Sequence, residues 1–78
     1  MAEAEVLDVV AGIWKEVLLT DVGPDSDFFE EGGHSLAVLQ LVSRLNEHYG
    51  VELSMRDIFD HPTLGEFAGA VRERVAAA

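Results

Sequence analysis

The sequence contains no cysteine, so neither a disulfide framework nor a thiolate metal site is possible. Positive charge is scarce: five Lys and Arg stand against 15 Asp and Glu, a formal net charge of −10. That balance argues against nucleic acid, whose affinity rests on basic side chains meeting phosphates. It argues equally against anionic membrane surfaces. Long hydrophobic runs are missing too. The longest, Leu36 to Val42, is interrupted by Gln40 and is far too short to span a bilayer. The N-terminus, Met1-Ala2-Glu3-Ala4-Glu5, is acidic where a secretory signal is basic, so a cytoplasmic location is expected. No stretch alternates polar and apolar residues as a strand would.

What is present is helical. At 78 residues the chain holds one domain with one modest core, burying roughly 60% of its unfolded surface. That size favours a binding, carrier or adaptor role over an enzyme. Hydrophobic residues make up 49% of the sequence, too many for a disordered acidic tail. The charge is uneven: nine acids and Lys15 precede Gly32, and six acids and four arginines follow, an asymmetry that reads as a solvated acidic face.

Over 3–19, Val6, Val10, Ile13 and Val17 recur at helical spacing, flanked by Leu7, Trp14 and Leu18, with Trp14 expected as a core anchor. Residues 20–34 hold Gly23, Pro24, Gly32 and Gly33 among Asp and Ser, which reads as a long loop. Val22, Phe28 and Phe29 are expected to pin it to the core. A second helix spans 35–49, stopped by Gly50 in the usual glycine position. Val38, Leu41, Val42, Leu45 and Tyr49 share its buried face. Leu36 lies nearly opposite, in water beside Gln40.

A short helix over 54–60 carries Ser54 as cap with Asp57 three residues on, and a last helix over 63–76 carries Thr63 and Glu66 in the same arrangement. Leu64, Phe67, Ala68, Val71 and Val75 form the last helix's stripe, and its terminal alanines are expected to fray. The fold class is all-α: a small four-helix bundle with three main helices and a short third one.

The second helix start differs from the other two. With Ser35 as its cap, the third residue on is Val38 rather than an acid. Its first-turn N–H groups and positive dipole end therefore lack a local carboxylate, which suits a phosphate group. Two other chemistries fail. Gly33-His34-Ser35-Leu36-Ala37 approaches G-x-S-x-G, but Ala37 replaces the last glycine and no strand precedes the serine. A calcium loop begun at Asp27 puts Phe29 and Val38 where oxygen ligands are needed. His34, His48 and His61 show no ligand spacing, so no metal is expected.

Asp27-Phe28-Phe29 followed by Gly32-Gly33-His34-Ser35-Leu36 resembles the core motif of peptidyl carrier, or thiolation, domains of nonribosomal peptide synthetases. Ile13 to Leu18 resembles that family's first helix, Val22 to Asp25 its loop, and Ile58 to Leu64 its passage into the last helix. Glu31 stands where the family often has an apolar residue. The resemblance implies an acyl-carrier-protein-like fold and no catalysis by the chain itself. It implies a 4′-phosphopantetheine on Ser35, transferred from coenzyme A by a Mg²⁺-dependent phosphopantetheinyl transferase, with Gly32, Gly33, His34 and Leu36 as the flanking motif. The arm's thiol would hold aminoacyl or peptidyl groups as thioesters in nonribosomal peptide, hence antibiotic, biosynthesis. Adenylation, condensation and thioesterase or tailoring domains would be the partners of a monomeric carrier.

Fatty-acid and polyketide acyl carriers are similar in architecture but typically place Asp before the serine and acids along the second helix. Here His34 holds that place and Leu36 to Asn46 contains no acid. Docking around Ser35 is therefore expected to be mainly apolar, with Leu36, Gln40, Met55 and Ile58 as candidate contacts, although Ile58 equally suits the core. The alternatives are an acyl carrier of another pathway or a non-covalent acidic helical interaction module.

Overall fold

The computed structural model describes residues 3–78. Four helices follow in order: α1 (Glu3–Leu18), α2 (Ser35–Tyr49), α3 (Met55–Asp60) and α4 (Leu64–Ala77). They pack as the expected all-α bundle, with α1 against α4 and α2, and α3 bridging α2 and α4.

The core draws on every element. Val6, Val10 and Trp14 enter from α1, Val38, Leu41 and Leu45 from α2, Ile58 from α3, and Leu64, Phe67 and Val71 from α4. On α1 the buried line is Val6, Val10, Trp14, an i, i+4, i+8 row, while Ile13 and Val17 are only half-buried. The expected stripe is thus rotated by one residue, because the large indole takes the centre of the interface. Trp14 meets the Phe28 ring edge-on at 5.0 Å and lies 6.1 Å from that of Phe67. Such pairs contribute about 0.5–1.5 kcal/mol beyond their buried area.

The long loop is pinned as expected, and by more than its side chains. Phe28 N–H donates to the Pro62 carbonyl at 2.8 Å, Leu64 N–H to Ser26 at 2.9 Å, and Gly65 N–H to Pro24 at 3.0 Å. Asp27 and Thr63 form an antiparallel bridge. The segment before α2 is therefore tied along its length to the start of α4. Between α2 and α3, the Asn46 side chain accepts from Leu53 N–H at 2.7 Å and donates to the Leu53 carbonyl at 3.1 Å. That clamp lets Val51 and Leu53 stay buried.

Helix ends follow their local chemistry with two corrections. Gly50 closes α2 in the left-handed conformation, φ 66°. Asp57 Oδ2 accepts from Ser54 N–H at 2.8 Å, and Thr63 Oγ1 donates to Glu66 at 2.8 Å. The cap of α2, however, is His34, in extended conformation, and Ser35 is the first helical residue. The first turn closes through Val38 N–H to the His34 carbonyl at 2.9 Å, which shifts the start by one. The terminal alanines do not fray: α4 runs to Ala77. At the other end of α1, Leu19 adopts φ 59°, a region that a residue with a Cβ enters at a cost of roughly 1–2 kcal/mol.

Candidate functional site

The site is built by the turn over 27–34. Asp27 Oδ1 accepts from Phe29 N–H at 2.8 Å and Glu30 N–H at 3.1 Å. Glu31 N–H bonds the Asp27 carbonyl at 3.0 Å and Gly33 N–H that of Phe28 at 2.8 Å. The two glycines serve different purposes. Gly32 sits at φ 101°, where only glycine is at ease. Gly33 has no such φ; it is buried, and a Cβ there would overlap the Phe28 ring. One turns the chain and the other lets it pass the core.

This turn delivers Ser35 to the surface at the N-terminus of a 15-residue helix. Ser35 is exposed, and no hydrogen bond engages its side chain among the described residues. The first turn of α2 contains no acid, whereas Asp57 and Glu66 occupy the first turns of α3 and α4. His34 makes no side-chain bond to the helix either. The initial N–H groups and the dipole's positive end face water unserved. An exposed hydroxyl in that setting fits a phosphodiester: nothing must be displaced to esterify it, and no carboxylate of that turn opposes the new charge.

Leu36 is 60% exposed and Gln40 is exposed, as their helical positions implied. Met55 is half-buried. Ile58 is the correction in this group: it is fully buried in the core and offers no surface. The exposed apolar residue of that turn is its neighbour Phe59, 56% exposed, whose ring stacks on Phe29 at 5.2 Å with the planes 3° apart. Leu39, 52% exposed, was also legible, being one turn on from Leu36. Leu19, 87% exposed, carries no periodic signal because it lies just past the helix. Among the described residues no cluster of His, Asp or Glu could hold a metal, and no helix is long and apolar enough to cross a membrane.

Residues 8–71 match the family model described as "Phosphopantetheine attachment site". Over 57 residues the chain is 51% identical to part of the linear gramicidin synthase of Brevibacillus parabrevis, covering 72% of this chain and 1% of that protein. The chain thus spans a very small part of the curated relatives it matches. Among solved structures, BlmI, a type-II acyl carrier protein from Streptomyces verticillus involved in bleomycin biosynthesis, superposes with a TM-score of 0.86 at 30% identity, covering 91% of this chain and 87% of that one. A structure of the phosphopantetheine transferase Sfp with coenzyme A and a peptidyl carrier protein matches at 0.83 and 33% identity, over 88% of this chain and 91% of the other. Spanning nearly the whole bundle and the turn before Ser35, these likenesses mean that the chain belongs to the phosphopantetheine attachment-site family, as a carrier domain of the peptidyl carrier type and not a catalyst.

Proposed function

We propose that Ser35 is the attachment point of 4′-phosphopantetheine and that the chain carries aminoacyl or peptidyl groups during nonribosomal peptide assembly. The observation that supports this most directly is the free, exposed Ser35 hydroxyl on a helix whose first turn holds no acid. On attachment, Ser35 Oγ forms a bond to the phosphorus of coenzyme A. The pyrophosphate P–O bond breaks, adenosine 3′,5′-bisphosphate leaves, and a partner transferase takes the hydroxyl proton. When bound, the group supplies a thiol that holds acyl cargo as a thioester.

The chain's own residues present and position. Asp27 and the two glycines fix the turn, and Trp14, Phe28 and Phe67 anchor it. Leu36, Gln40 and Met55 offer a mostly uncharged contact surface to the transferase and to adenylation, condensation and thioesterase or tailoring domains. Tethering raises the effective concentration of the cargo at each partner. Incubation with coenzyme A and a broad-specificity transferase is expected to add one phosphopantetheine by intact mass, and Ser35→Ala to abolish the gain. An unmodified wild-type chain would overturn this reading and favour a non-covalent interaction module.

A further inference from the structure

A shallow groove of about 280 Å³ runs beside the start of α2. Val17, Leu18 and Leu19 of the α1 end form one side, and Leu36, Ala37 and Gln40 of α2 form the other. His34 and Leu36, the two chain neighbours of Ser35, both border it. A flexible chain attached to the Ser35 hydroxyl therefore meets this groove before any other concavity described on the molecule.

Leu19 sets the groove apart from ordinary surface. The end of α1 needs a residue at positive φ, a position that glycine or asparagine ordinarily fills. Leucine is held there instead, at φ 59°, with its side chain 87% exposed. Such an exposed side chain returns little to the fold for the strained backbone beneath it, and strain of this kind points to a function outside packing. Leu36, 60% exposed, provides the opposite apolar wall. Gln40 is exposed, and no hydrogen bond engages its side-chain amide among the described residues.

The size of the groove narrows its occupant. Sites for drug-sized ligands start near ~300 Å³ and are enclosed; this one is smaller and open, and suits a single extended chain. Two apolar walls and one amide side chain match a chain with branched methyls and secondary amides, which is the chemistry of pantetheine. We infer that the groove between Leu19 and Leu36 is a resting subsite for the pantetheine portion of the arm, with Gln40 as its amide partner. The inference rests on Ser35 being the attachment point. The arm held there would keep its cargo close to the carrier between partner visits, while the open groove lets it leave.

The test uses isotope-labelled protein converted to the holo form with coenzyme A and a transferase, with conversion checked by intact mass. Nuclear Overhauser contacts are expected between the arm's geminal methyls and the side chains of Leu19 and Leu36, together with amide shifts at Leu19 and Gln40. In Leu19→Gly these contacts are lost and the arm relaxes as a free chain, while the melting temperature stays equal or rises because glycine suits the left-handed position. A wild-type arm with no contacts and free-chain relaxation overturns the subsite and leaves the Ser35 reading intact. Failure to gain mass overturns both. If the arm is free but Leu19→Gly slows loading by an adenylation partner, the groove is a partner surface and the subsite is equally refuted.

Discussion

Gly33 is packed so closely on Phe28 that a Cβ added to it would fall within the phenyl ring and lie 2.6 Å from the Phe28 carbonyl oxygen. Phe28 is itself fully buried against Trp14, so the ring has nowhere to move. Gly33→Ala is therefore expected to destabilise the domain by about 1–3 kcal/mol through overpacking. Gly12 gives the opposite sign: it is exposed within α1, and nothing lies within 4 Å of an added Cβ. Gly12→Ala should stabilise by about 0.5–1 kcal/mol through helix propensity. Urea unfolding followed by the fluorescence of the single tryptophan measures both. Equal stability of Gly33→Ala and wild type would refute the close contact.

The helices, their faces and most of their ends were legible in the sequence, because periodicity and capping are local. Gly50, Asp57 and Glu66 do what their positions implied. Two features escaped for the same physical reason. The pairing of Pro24, Ser26 and Phe28 with residues 62–65 joins two segments without periodicity, and the Asn46 clamp on Leu53 depends on how a linker folds back. The rotation of the α1 stripe onto Trp14 reflects volume: hydrophobic spacing alone does not say which of two adjacent apolar residues fills the larger gap. At the site, the glycine pair was evident but its division of labour was not, since the burial of Gly33 follows from where Phe28 packs.

Arg74 ties the short helix to the bundle. Its guanidinium donates to the Glu52 carbonyl at 2.6 Å and to Asp57 Oδ1 at 3.2 Å, while the other Asp57 oxygen serves the start of α3. Because α3 is six residues long and buries only Ile58 fully, losing this link should loosen it selectively. Arg74→Met is expected to cost about 0.5–1.5 kcal/mol and to speed amide exchange over residues 56–61 more than in α2. Lys15→Met is the comparison: its pair with Asp21 at 3.1 Å is exposed on both sides, and its removal should cost under about 1 kcal/mol. Uniform exchange across the bundle in Arg74→Met would argue against a local latch.

Tyr49 gives the domain an alkaline weakness. Its hydroxyl oxygen is buried with no hydrogen-bond partner, and burial, then the nearby Glu5 carboxylate, pushes the phenol above its ordinary range. The folded state thus holds the proton more tightly than the unfolded chain does. Stability from this group is complete below the unfolded value near pH ~10 and is lost as pH rises from there through the folded one. Tyr49→Phe should remove that loss and leave stability at neutral pH equal or higher, since an unsatisfied hydroxyl disappears. Phenolate absorbance of the single tyrosine, followed folded and in urea, measures the two titrations. A folded midpoint at or below the unfolded one would contradict this account.

Leu36 and Leu39 lie one turn apart on α2, 60% and 52% exposed, and contribute little to the core. Leu36→Asp adds an acid to the first turn of α2, which favours the helix by about 0.3–1 kcal/mol, so its melting temperature should hold or rise. The same charge opposes an incoming phosphate at Ser35 and removes an apolar contact. Transferase and adenylation-domain rates should both fall. Leu36→Ala and Leu39→Ala separate the two causes, because they remove the contact without adding charge. Losing a partly buried Leu contact of about 1.4 kcal/mol lowers kcat/KM about tenfold. If both alanine variants load at the wild-type rate and only Leu36→Asp is slow, recognition near Ser35 is electrostatic and the apolar docking surface is refuted.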